Sequence, residues 1–201
     1  MNARLGLRIG TLLAVVLLTL LALDRWRAQQ EASVPLAWKQ QYQASLWLPL
    51  RERSLTLADV DRVLGQGYLW MISAEGEPRL ASRHVMESDG QRWVVQAVIG
   101  LDEQQTASLV EAQAWQPDTP DQAVSSAMGA ALAQYPVDRL SLIPDEPLKA
   151  VRVVATFGSA DWHMPVADEE VWVYGREGLV VSVSGERAYS FMFGVRQDLP
   201  Q

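Results

Sequence analysis

The feature that most constrains this chain is an uncharged apolar run over residues 9–23, IGTLLAVVLLTLLAL, preceded by Arg4 and Arg8 and closed by Asp24-Arg25-Trp26-Arg27. A run of this kind belongs to a bilayer or to a removable signal rather than to the surface of a folded domain. Fifteen residues is short for a spanning helix and fits the core of a signal peptide. Counting back to Leu5 through Arg8, whose long stem can reach the headgroups, gives nineteen residues, enough to cross with little tilt. Cleavage asks for small residues at positions −3 and −1, and neither Ala22-Leu23-Asp24 nor Ala28-Gln29-Gln30 supplies that pair. The expectation is an uncleaved signal anchor over residues 9–24, with Leu12, Val16 and Leu20 in the lipid and Trp26 at the interface.

Orientation rests on a small charge difference, because Arg4 and Arg8 before the run are matched by Arg25 and Arg27 after it. The amino terminus tips the balance inward, and a signal anchor carries the downstream chain across the membrane. Residues 1–8 are then a short cytoplasmic tail, with no room for a kinase or a DNA-binding output domain. The short anchor and the excess of arginine over lysine point to a bacterial inner membrane, with the carboxy-terminal part in the periplasm.

Charge divides the chain at the same place. Residues 1–27 hold four Arg and one Asp, whereas residues 28–201 hold 13 basic and 23 acidic side chains. An acidic outer domain argues against nucleic acid, which needs a basic surface to displace its counterions, and against lying flat on anionic lipid. The chain has no cysteine, which excludes a disulfide scaffold, a thiol nucleophile and any cysteine-containing zinc site.

Residues 25–50 read as a juxtamembrane amphipathic helix, with Ser33 as N-cap ahead of Val34-Pro35 and Leu36, Trp38, Tyr42, Leu46 and Trp47 at near-helical spacing until Pro49. Thr56 and Asp59 form a capping box for a short helix through Leu57, Val60, Val63 and Leu64. Residues 68–72 read as a strand, and residues 80–87 and 92–101 as a hairpin around Asp89-Gly90. Residues 107–115 are ambiguous and read as a strand. Thr119 as N-cap, Pro120 and Gln122 then open a helix whose stripe runs through Val124, Ala127, Met128, Ala131, Leu132 and Tyr135. Residues 149–157, 170–174, 179–184 and 188–193 read as strands. Residues 51–201 are therefore expected to form one α+β domain, a curved antiparallel sheet packed by helices on one face. The cystatin-like and NTF2-like folds have that general shape, and this is an analogy of shape alone.

The segment with the most unusual chemistry is 158–168, read as a loop longer than a hairpin needs. Asp161, His163 and Asp168 are candidate metal ligands, but their spacing matches no established motif, and the favoured reading is a solvated loop with Trp162 folded onto the body. No Gly-x-Ser-x-Gly, paired His–Asp or phosphate-binding glycine loop is present, so neither a catalytic residue nor a cofactor is expected. The carboxylate pairs Asp145-Glu146 and Glu169-Glu170 keep an envelope hydrolase as a second alternative. Most of the eight tryptophans read as core. Trp38, Tyr42, Leu46 and Trp47 are the exception: so close to the bilayer, their stripe can pack on its own domain, lie on headgroups or meet a partner helix.

Together these features point to a non-enzymatic, single-pass protein whose periplasmic domain contacts other envelope proteins in a secretion, conjugation, pilus or division apparatus. A homo-oligomer is the other arrangement this reading allows. The first alternative is a periplasmic ligand- or metal-binding sensory module, with a cleft between the sheet and the 119–135 helix and Trp162 and His163 at its lip.

Overall fold

The computed structural model describes residues 17–21, 34–74, 76–116, 120–125 and 127–195. Of the expected anchor residues, Leu20 lies in a helical fragment at 17–21, while Leu12, Val16 and Trp26 lie outside the described residues, as do the caps Ser33 and Thr119. Among the described residues no helix is long and apolar enough to cross a membrane.

The body is α+β, built on one antiparallel sheet. Its strands are β1 (Tyr68–Ala74), β2 (Glu77–Ser88), β3 (Gln91–Ile99), β4 (Gln122–Ala123), β5 (Val137–Pro144), β6 (Leu148–Lys149), β7 (Trp162–Val166), β8 (Glu169–Tyr174), β9 (Leu179–Ser184) and β10 (Arg187–Phe193). They lie in the order β4-β1-β2-β3-β5-β10-β9-β8-β7, with β6 also paired to β10. The β2–β3 turn is set by Asp89 and Gly90, whose φ values of 56° and 73° are the two positive angles that match a tight turn to the twist of its strands.

Registers divide the side chains cleanly. His84, Val95, Leu142, Phe191, Val181 and Trp172 face one way in adjacent positions across six strands, and the buried strand residues of both hydrophobic clusters lie on that face. The helices cover it: α1 (Ala37–Gln41), α2 (Leu48–Arg51), α3 (Leu57–Leu64), α4 (Glu103–Gln113), α5 (Ala127–Leu132) and α6 (Ala150–Phe157). Each helix with a buried face places it in one of those clusters.

The segment read as a juxtamembrane amphipathic helix packs, where described, into this core. Between α1 and α2 the chain makes a π-helical turn at Gln43–Trp47, with Trp47 N–H bonded to the Tyr42 carbonyl at 3.3 Å. Trp38 has no solvent exposure and meets Trp47, Trp93 and Phe191 edge-on, with ring centroids 5.5, 5.6 and 5.6 Å away. Leu36, Leu46, Trp47 and Leu50 are buried around it, so this segment supplies the inner domain with its largest side chains.

Four local expectations are corrected. Residues 107–113 belong to α4, which ends at a left-handed Ala114, because Asp102 and Gln105 form a capping box that commits the chain to a helix, and only Leu109 of that helix is buried. The 119–135 helix is reduced to α5, since Gln122–Ala123 add a strand to β1 instead. Residues 150–157 are helical despite three valines and a threonine, because Ala150 and Val153 fall on one helical face and pack into the core. The 158–168 loop contains the edge strand β7, joined to β8 by a turn at Ala167-Asp168 with Ala167 at φ 54°. The central strand β5 is masked in the sequence by its flanking Pro136 and Pro144, yet carries Leu140 and Leu142, both fully buried.

Candidate functional site

Strand parity decides where the candidate residues point. In β7, His163 and Pro165 pair with Trp172 and Glu170 on the helical face, while Trp162, Met164 and Val166 project from the opposite, outer face. His163 Nδ1 lies 3.2 Å from Glu170 Oε1, and its ring is 5.0 Å from that of Trp172. Asp161 Oδ2 accepts the Gly175 N–H at 2.7 Å, and Asp168 sits in the β7–β8 turn beyond Val166. The structure therefore does not bring Asp161, His163 and Asp168 to one point, and among the described residues no group of three metal-ligating side chains converges.

The carboxylate pairs are separated too. Glu169 and Glu170 are consecutive in a strand and point to opposite faces. Glu170 accepts from the Trp172 indole at 2.7 Å, which together with His163 holds its carboxyl below the usual range, and Glu169 accepts from the Tyr189 hydroxyl. Asp145 and Glu146 lie exposed in the loop after β5. Of the proposed partner-binding residues, Trp38, Leu46 and Trp47 are buried and Tyr42 packs against them half-buried. The stripe thus meets its own domain, because its aromatic side chains fill the space under β3, β5 and β10.

A second buried constellation is not legible as such in the sequence. His84 lies under α3 with Nδ1 2.9 Å from the Gly65 carbonyl and Nε2 3.9 Å from Asp61, and Ser82 is its neighbour on the same face of β2. Burial pushes the imidazole below its ordinary value, against the opposing pull of the Gly65 bond and Asp61. A Cβ on Gly67 would come within 2.2 Å of Ser82 Oγ and 2.5 Å of the His84 ring, so the loop closes directly over these groups. This is a sealed packing site, with no room for a reacting molecule beside the serine.

What stays open is the outer face of the sheet. Arg83, Gln96, Ser141, Met192, Val180, Val173 and Trp162 form one row across it, polar at β2 and apolar toward β7. At the apolar end Trp162 is 52 %, Met164 44 % and Val166 52 % exposed, and among the described residues β7 has no strand on its far side. Unpaired backbone groups beside a row of exposed apolar side chains form a ready surface for another polypeptide. The large cleft, of about 760 Å³, lies elsewhere than expected, at the end of the sheet where β3 and β10 finish. The chain matches no protein-family model, no curated protein and no solved structure.

Proposed function

We propose that this chain is a non-enzymatic, single-pass protein of a bacterial inner membrane, whose periplasmic domain binds other envelope proteins through the β7 edge and the adjoining outer sheet face. The carrying observation is the alternation in β7: Trp162, Met164 and Val166 all project exposed from one face of an edge strand. The partner is accordingly an extended protein segment with apolar residues at every second position. Its backbone would extend the sheet, and its side chains would continue the row formed by Val173 and Trp162. Pro165 limits the edge, because it removes one N–H from β7 and so disfavours indiscriminate strand pairing. The anchor over residues 9–24 would restrict the search for that partner to the membrane surface.

The test is a photo-reactive side chain at position 162 in the full chain, in its native membrane, with a second at the buried position 38. The expected result is a discrete protein adduct at 162 that maps to one extended segment of the partner, disappears with Met164→Asp, and is absent at 38. Adducts at 162 that survive Met164→Asp, or none at all, would overturn the edge-strand reading.

A further inference from the structure

The cleft at the end of the sheet has a charge character opposite to that of its domain. Arg51, Arg53, Arg79, Arg139 and Arg176 line it against only Asp138 and Glu177, in a body where acids outnumber bases 23 to 13. Of the two carboxylates, Glu177 is already held by Lys39 at 3.4 Å. Arg79 pairs with Glu77 outside the cleft lining. Among the described residues no carboxylate lies within ion-pair distance of Arg51, Arg53 or Arg176.

The backbone is shaped around this cleft at some cost. The β3–β5 register shifts between Val98–Arg139 and Ile99–Val137, leaving Asp138 as the extra residue of a bulge. Gly194, at φ 90°, lies so close that a Cβ there would be 2.2 Å from the Asp138 carbonyl oxygen. Arg53 follows α2 at φ 59°, in the left-handed conformation that a helix end normally gives to glycine. An arginine held there is strained, and strain of this kind collects at functional sites.

We propose that this cleft is a binding site for a small phosphate-bearing anion. Arg51, Arg53 and Arg176 approach from the helical side, whereas Arg79 and Arg139 come from the outer face. Guanidinium is the group suited to such a ligand, since its planar fork binds phosphate oxygens in pairs. The volume also suits a molecule of metabolite size. The phosphates could belong to a soluble ester or to a lipid headgroup. The titration below distinguishes these two sources. This site is independent of the β7 edge, and either can fail without the other.

The test is calorimetric titration of the full chain in neutral detergent with sodium pyrophosphate, and separately with dihexanoyl phosphatidylglycerol below its micelle concentration. One saturable site is expected, at least tenfold weaker in Arg51→Ala/Arg176→Ala and unchanged in Lys149→Ala. Arg53→Gly is the variant that keeps the test independent of folding: glycine suits the left-handed backbone there, so melting should stay near wild type while pyrophosphate affinity falls. Preference for pyrophosphate identifies a soluble ligand, and preference for the lipid a headgroup. Failure of both probes to bind, or binding indifferent to the arginine variants, or equal loss in Lys149→Ala, would overturn the site.

Discussion

His84 shows how a single residue ties this fold to pH. Its imidazole is enclosed between β2 and the Gly65–Gly67 loop, with Nε2 3.9 Å from Asp61 and without a hydrogen-bond partner among the described residues. Burial lowers its folded-state pKa from 6.5, while the unfolded chain titrates near that value. The unfolded state therefore takes up the proton first. The His84 contribution is fully present above pH 6.5 and is lost as pH falls through the lowered folded value. Urea midpoints measured between pH 8 and pH 5 should decline from about 6.5 downward. His84→Asn, whose amide can still reach the Gly65 carbonyl, should flatten that decline; a wild-type profile already flat there would refute the assignment. The sequence offers His84 only as a lone histidine on a strand. Nothing local to it says that a loop nineteen residues earlier closes over the ring.

At the scale of elements, the segment from α1 to α2 is the part whose meaning changes most between sequence and structure. Its apolar spacing is legible, and so is its proline stop, but spacing alone does not say which surface the stripe meets. The fold places Trp38 among Trp47, Trp93 and Phe191, so Trp38→Ala should cost about 3–5 kcal/mol, a large part of what holds a domain of this size together. A circular-dichroism melt should show a strongly lowered transition, and an unchanged melt would return the stripe to the surface. Elements with a local, chemically specific signal are legible in the sequence. The Thr56–Asp59 capping box and the Asp89-Gly90 turn each need only neighbours along the chain. Those decided by distant packing are not: the β-branched α6 is a helix because Val153 and Ala150 find a core, and β7 is a strand because β8 offers it a ladder.

At the scale of the whole molecule, an acidic body follows the apolar run over residues 9–23. On the proposed topology, alkaline carbonate should leave the full chain in the membrane pellet and release a variant lacking residues 1–27. Release of the full chain would refute the anchor. The sequence by itself determined the α+β class, the charge division, the capped helix α3 and the β2–β3 hairpin, because composition and nearest-neighbour chemistry suffice for these. It also placed all the residues of the arginine cleft, but scattered from Arg51 to Arg176 with no spacing that marks them as one site. Only the tertiary structure decided that they meet, that the aromatic stripe is core, and that Trp162 and Met164 are open on an edge. The reason is physical: strand order and register bring together residues far apart in sequence, and that pairing is a property of the assembled sheet, which no local segment carries.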